Sequence, residues 1–68
     1  MGRIEEHHER GLALKSEGQY DEALAEFRAI LETDGGHAEA HRQIGLIYGF
    51  TGLFDESIDE LSIARRFP

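Results

Sequence analysis

The stretch from Glu17 to Phe27 reads EGQYDEALAEF, and it decides the fold of this chain. Its glycine predicts a turn, because glycine readily adopts the left-handed backbone conformation that a tight helix exit requires. The acidic pair that follows favours the start of a helix, where negative charge meets the positive end of the helix dipole. The same pattern recurs 34 residues later, from Thr51 to Leu61, as TGLFDESIDEL. The chain therefore contains a repeat centred on a turn and a helix start.

The repeat extends over almost the whole sequence. An offset of 34 pairs residues 4–34 with residues 38–68, and eight of these 31 pairs are identical, where chance would give about two. The identical pairs are Glu5/Glu39, His7/His41, Gly11/Gly45, Leu12/Leu46, Gly18/Gly52, Asp21/Asp55, Glu22/Glu56 and Glu26/Glu60. A fixed period of this kind is typical of stacked repeats. We expect one domain, residues 1–68, made of repeat one at 4–37 and repeat two at 38–68.

Helical periodicity predicts the elements within each repeat. Apolar residues recur at helical spacing, which favours helices over residues 4–17, 21–33, 38–50 and 55–67. No strand pattern remains beside these helices, and the connections between them are short. The predicted fold class is all-α, with two tandem antiparallel helix hairpins that stack as in a fragment of an α-solenoid.

Two glycines fall inside the predicted helices. Gly11 and Gly45 occupy equivalent positions, and a helical glycine costs about 1 kcal/mol relative to alanine. A missing side chain at both positions predicts that the two helices of each hairpin approach closely, with the small residues Ala23 and Ser57 as candidates for the facing surface. The alternative is that the glycines are accidental weak points, and the exact 34-residue spacing argues against it.

Composition excludes several classes of function. Seven positive against fourteen negative side chains give a net charge of −7, which opposes binding to nucleic acid or to anionic membranes. No apolar run approaches the roughly 20 residues of a membrane span. The chain has no cysteine, so it offers no disulfide, thiolate metal site or cysteine nucleophile. We expect a cytoplasmic protein without a cofactor.

Histidines raise the question of a metal site. His37 and His41 are spaced i, i+4, with Glu39 between them, but the pattern differs from the His-Glu-x-x-His of zinc proteases. Zinc requires three or four converging ligands, so we expect no metal site. His7 recurs as His41, which suggests packing between the first helices of the repeats.

An enzymatic function has little support in the sequence. Ser16, Ser57 and Ser62 have no neighbouring base that would activate a nucleophile, and there is no glycine-rich phosphate loop. We expect a protein that is not an enzyme.

The repeat resembles the tetratricopeptide repeat family. The unit of that family has 34 residues, with a small residue midway along the first helix, a glycine at the turn and an aromatic residue two positions later, followed by a small residue and a larger apolar one. Here these positions hold Gly11, Gly18, Tyr20, Ala23 and Phe27, then Gly45, Gly52, Phe54, Ser57 and Leu61. The resemblance implies an interaction module that binds a protein or peptide.

The resemblance also implies where a partner would bind. In this family the first helices of successive repeats line a concave groove that holds a peptide. Transferred by position, the peptide-binding residues are His8, Leu12, Lys15, Arg42, Leu46 and Phe50. The apolar residues of this set would anchor the peptide, and Lys15 and Arg42 would be available for carboxylates. The alternative is a solvated face with incidental apolar residues.

The last helix suggests a second function. Arg65 occupies the position of Leu31 in the first repeat, which is typical of the polar outer face at the end of a repeat array. Apolar residues nevertheless remain at Ile58, Ile63 and Phe67. Because so short a stack normally needs a cap or a partner, we expect either homo-oligomer formation through these residues or a fragment of a larger protein.

Overall fold

The computed structural model describes residues 3–66. These residues form four α-helices in chain order: α1 Arg3–Ser16, α2 Tyr20–Thr33, α3 Ala38–Phe50 and α4 Phe54–Arg66. No strand occurs within this range. The all-α prediction is confirmed, and each described helix boundary lies within one residue of the predicted one. The predicted end of the fourth helix, Phe67, lies outside the described residues.

Glycine turns end the first helix of each hairpin as predicted. Gly18 has a φ of 80° and Gly52 a φ of 86°, the left-handed region that residues with a Cβ rarely adopt. In the first turn the backbone N–H of Gln19 donates to the carbonyl of Leu14 at 2.9 Å. The second turn has the same hydrogen-bond pattern. Both turns satisfy helix-end carbonyls that would otherwise lack a donor.

The hydrophobic core lies where α2 meets its neighbours. α1 packs on α2, α3 packs on α4, and α2 also packs on α3, which joins the two hairpins. The fully or almost fully buried apolar residues come from α2 and α3: Ala23, Phe27, Ile30, Ala40, Ile44 and Ile47. The core thus stacks the second helix of one repeat against the first helix of the next.

The helical glycines permit close contact, as the sequence predicted. A Cβ atom added at Gly11 would lie 2.6 Å from Cζ of Phe27, so the aromatic ring fills the space above the glycine. Ala23, which the sequence suggested for this place, is fully buried in the core, but the three atoms nearest the added Cβ all belong to Phe27. At Gly45 the prediction of Ser57 is confirmed, since its hydroxyl donates to the carbonyl of Gly45 at 2.7 Å.

Membrane insertion of a helix has no support in the described part of the chain. None of α1 to α4 combines the length and the apolar character that crossing a bilayer requires.

Candidate functional site

Two side-chain contacts join α1 to α3 and define a groove between them. Lys15 on α1 donates a hydrogen bond to the side-chain carbonyl of Gln43 on α3. Nearer the start of both helices, Nε2 of His8 lies 3.5 Å from a carboxylate oxygen of Glu39. Both contacts follow the same chain direction, so α1 and α3 lie side by side and roughly parallel. We refer to the surface along these two helices as the α1–α3 groove.

A cleft opens at the end of the groove where both helices begin. Its volume is about 420 Å³, which is within the size range of small-ligand pockets. The lining residues are Ile4, Glu5, His8, Glu9, His37 and Glu39. The cleft therefore combines one apolar side chain, two histidines and three carboxylates, a set that favours a positively charged group over an anion.

Apolar residues lie farther along α1 and α3, beyond the residues that line the cleft. Leu12 on α1 is half-buried and packs against the core. Leu46 on α3 is also half-buried, and Phe50 follows one helical turn later on the same side of the helix. The Phe50 side chain is 61% exposed, and its ring centroid lies 6.0 Å from that of Tyr20. A large exposed aromatic one turn from the half-buried Leu46 leaves apolar surface in water.

Arg42 is held by a carboxylate of its own helix. Its Nε and Nη2 atoms donate to the two carboxylate oxygens of Glu39, both at 2.8 Å. Gln43 donates to the same carboxylate at 2.8 Å. Burial acts to raise the pKa of Glu39, but hydrogen bonds from Gln43, Arg42 and His8, together with the charge of Arg42, outweigh it and lower that pKa below its ordinary value. Glu39 is thus a charged carboxylate that contacts three other side chains of the groove.

The cations and carboxylates of the groove differ in how far they are engaged. Arg42 is bound in a bidentate manner to Glu39, so its charge is neutralised. Lys15 donates to the neutral amide of Gln43 and keeps its positive charge. Glu5 and Glu9 make no ion pair with any residue between 3 and 66. Two unpaired carboxylates against one uncompensated ammonium leave the groove with a net negative charge.

The recurring histidines contact the second helix of their own hairpin. Nδ1 of His7 lies 2.7 Å from a carboxylate oxygen of Glu26, and Nδ1 of His41 lies 2.7 Å from that of Glu60. The prediction that these histidines pack between the first helices is therefore wrong, because each ring reaches across to its own hairpin partner. The sequence carried a signal for these contacts, since both the histidines and the glutamates are among the identical pairs of the repeat.

The histidines considered for metal binding have other roles. Nδ1 of His37 accepts a hydrogen bond from the backbone N–H of Ala40 at 3.1 Å and so caps the start of α3. His41 contacts Glu60 and the carbonyl of Gly35. Within residues 3–66, no three His, Asp or Glu side chains converge as metal ligands would. These contacts give no support to metal binding by His37 and His41.

The residues proposed for self-association do not share one side of α4. Ile58 is 61% exposed, whereas Ile63 is half-buried. Five residues of an α-helix turn through about 500°, so these two side chains diverge by about 140°. Phe67 lies outside the described residues. On the Ile58 side, Phe54 is a further large exposed residue, with 66% of its surface accessible, and it did not figure in the predicted set.

Comparison with known proteins provides one match. The sequence model of a family described as tetratricopeptide repeat matches residues 4–47, which include all of α2 and most of α1 and α3. No curated protein and no solved structure matches the chain.

Proposed function

Because the chain belongs to the tetratricopeptide repeat family, we propose that it is a non-catalytic interaction module that binds a segment of another protein in the α1–α3 groove. The family supports protein or peptide binding in general, and the groove supplies the particular surface. A cytoplasmic location, favoured by the absence of cysteine, is part of this proposal.

The exposed ring of Phe50 is the observation that carries the proposal. At 61% exposure it leaves most of an aromatic surface in water, next to the half-buried Leu46 and in line with it along α3. Exposed aromatics that adjoin apolar residues are typical anchors of protein interfaces. Covering Phe50 with an apolar side chain of a partner would remove this surface from water.

Charge indicates the chemistry of the partner segment. Glu5 and Glu9 are exposed carboxylates at the cleft that no ion pair within residues 3–66 neutralises, whereas the charge of Glu39 is balanced by Arg42. The whole chain is also acidic, with a net charge of −7. Complementary charge speeds and orients association. We therefore infer a segment in which apolar side chains are flanked by lysine or arginine.

Selection from a display library of random short peptides, with the purified chain as bait, tests this proposal. We expect enriched peptides to combine apolar and basic residues. Binding of the synthetic peptides, followed by fluorescence anisotropy, should be weakened by Leu46→Glu and by Phe50→Ala. The matched controls are Ile58→Glu and Phe54→Ala, which make the same changes at exposed α4 positions and should leave peptide affinity unchanged. Equal effects at both sites, or an absence of enriched peptides, would contradict groove binding.

Self-association through α4 is a second candidate function. Phe54 and Ile58 are 66% and 61% exposed and lie one helical turn apart, so they form a continuous apolar surface that residues 3–66 leave uncovered. This candidate is compatible with the first, because the α1–α3 groove and this side of α4 are different surfaces. Sedimentation equilibrium of the wild-type chain tests it, and a monomer at every concentration would exclude it.

A further inference from the structure

The outer side of α4 carries a regular stripe. Phe54, Ile58, Leu61 and Arg65 follow one another at i, i+4, i+7 and i+11, a spacing that places them on one side of a helix. Phe54, Ile58 and Arg65 are exposed, and Leu61 is half-buried because it also packs over Gly45. We call these four residues the α4 stripe.

The first repeat shows what covers a stripe of this kind. Its residues at the same repeat positions on α2, namely Tyr20, Leu24, Phe27 and Leu31, are buried or half-buried. Phe27 packs on Gly11 of α1, and beside it α3 runs antiparallel to α2 and packs on it. Phe50 at the end of α3 meets Tyr20 at the start of α2, with ring centroids 6.0 Å apart. The α4 stripe therefore corresponds to a surface that fits an antiparallel helix.

The first helix of another copy is not suited to cover the α4 stripe. Ile44 and Ile47 are the α3 residues that join the core beside α2. The corresponding residues of α1 are Arg10 and Ala13, both exposed. Head-to-tail stacking would put Arg10, whose guanidinium lies 3.4 Å from a carboxylate oxygen of Glu26, where Ile44 is buried. Removing this exposed charged group from water is unfavourable compared with burying isoleucine. An open chain of copies, which head-to-tail contact generates, is thus disfavoured.

A second α4 matches the stripe in both shape and charge. The first turn of α4 contains Asp55 and Glu56, and its last turn contains Arg65 and Arg66. When two such helices lie antiparallel, the acidic start of each lies beside the basic end of the other. A parallel arrangement would instead bring like charges together. Antiparallel pairing about a two-fold axis uses the same surface on both chains and closes at the dimer.

We propose that two copies of this chain form a dimer through the α4 stripe, with the two helices antiparallel and Asp55 of each chain next to Arg65 of the other. Phe54, Ile58 and Leu61 supply the apolar centre of the contact. This proposal rests on the self-association function and adds its geometry. One helix per chain offers a small interface, so the dimer is weak and forms at high protein concentration.

Charge reversal tests the geometry by sedimentation equilibrium. Asp55→Arg or Arg65→Asp alone places two like charges at each end of the contact, and we expect each to weaken dimerisation about tenfold. An equimolar mixture of the two variants restores both opposite-charge pairs in the mixed dimer and should recover most of the affinity. Glu56→Arg is the control, since it makes the same change in the same helical turn but away from the stripe. Circular dichroism establishes that each variant folds.

Alanine substitution tests the apolar centre of the contact. Together with the charge reversals it distinguishes failure of the α4 pairing from failure of self-association as a whole. Phe54→Ala should weaken the dimer, whereas Phe50→Ala, at an equally exposed phenylalanine on α3, should not. A wild-type chain that stays monomeric overturns both the self-association function and this geometry. If the wild-type chain dimerises but neither Phe54→Ala nor the charge reversals weaken the dimer, self-association stands and the α4 pairing is overturned. Oligomers that grow beyond the dimer with concentration also overturn it.

Discussion

His41 and Glu60 join α3 to α4 through a contact of 2.7 Å between the ring Nδ1 and a carboxylate oxygen. The other ring nitrogen of His41, Nε2, lies 2.9 Å from the carbonyl oxygen of Gly35, in the connection between the hairpins. Both partners are oxygen atoms that accept hydrogen bonds, so both ring nitrogens donate only when the imidazole is protonated. When it is protonated, His41 thus connects three parts of the chain.

This contact predicts that stability depends on pH. Burial acts to lower the pKa of His41, but the hydrogen bond to Glu60, the hydrogen bond to Gly35 and the charge of Glu60 together raise that pKa above its ordinary value of 6.5. A pKa that is higher in the folded state stabilises the fold fully below pH 6.5, and this stabilisation is lost as the pH rises through the folded-state pKa. We expect the free energy of unfolding, measured with urea, to fall over that range.

Substitution of the carboxylate isolates the contribution of His41. In Glu60→Gln the fall in stability with rising pH should become shallower, because the charge that favours protonation of His41 is gone. Glu56→Gln removes the same charge from an exposed position of α4 and should keep the wild-type pH profile. NMR titration of the His41 ring gives the pKa directly, and a value at or below 6.5 in the wild type would contradict the prediction.

Three helical glycines should respond differently to alanine. Gly11→Ala would bring a Cβ to 2.6 Å from the fully buried ring of Phe27. Overpacking of about 1–3 kcal/mol exceeds the roughly 1 kcal/mol gained from helix propensity, so a net loss of up to about 2 kcal/mol is expected. At Gly45 the added Cβ would lie 2.9 Å from Cγ of Leu61 and 3.2 Å from the backbone oxygen of Ser57. The loss there should be smaller than at Gly11, because the half-buried Leu61 has more room to shift than the fully buried ring of Phe27.

Gly49→Ala is the matched control within the same helix as Gly45. Its added Cβ would lie 3.4 Å from the Ser57 hydroxyl and meet nothing closer, so the gain in helix propensity remains and stability should rise by about 0.5–1 kcal/mol. Urea denaturation of the three variants measures the order of their stabilities. If Gly11→Ala were as stable as Gly49→Ala, the close contact between Gly11 and Phe27 would be excluded.

The turn glycines allow a test of backbone strain without steric contact. A Cβ added at Gly18 or Gly52 meets no atom within 4 Å, but both residues have positive φ. Alanine at either position should therefore destabilise the fold by about 1–2 kcal/mol through strain alone. Gly35→Ala is the control, because its φ is not in this region and its nearest neighbour would be 3.8 Å away. The free energy of unfolding of the Gly35→Ala variant should differ from that of the wild type by less than about 0.5 kcal/mol. Equal losses of stability at all three glycines would contradict the conclusion that backbone strain at Gly18 and Gly52 causes the effect.

Local sequence signals predict the helices and turns of this fold well. The turns at Gly18 and Gly52 depend on backbone conformation alone, which residue type largely determines. The close approach at Gly11 was also predictable, since an unfavourable residue recurs at the same place in both repeats. The identity of the facing residue was not, because the reach of the Phe27 ring depends on side-chain rotamers and on the packing of α1 against α2.

The charge of the groove could be predicted only in part. Arg42 and Glu39 are three residues apart on one helix, a spacing that favours contact between them. The contact between Lys15 and Gln43, by contrast, joins two helices and depends on how α1 and α3 are rotated against each other. Sequence position therefore proposes which residues line the groove, whereas the structure shows which of their side chains already have partners within residues 3–66.

Glu39 is the residue through which this charge preference is tested. Its carboxylate accepts hydrogen bonds from Arg42 and from Gln43 at the cleft. Glu39→Gln therefore removes a negative charge from the groove and releases the guanidinium of Arg42. Two synthetic peptides that differ only in having lysine or glutamate beside the same leucines serve as probes. We expect the wild type to prefer the lysine peptide and Glu39→Gln to reduce that preference by about two- to fivefold, the range of an exposed ion pair. Glu32→Gln, at an exposed carboxylate of α2, should keep the wild-type preference. Anisotropy at low and high salt measures both affinities, and a wild-type preference for the glutamate peptide would show that Lys15 and Arg42, rather than the carboxylates, determine what the groove binds.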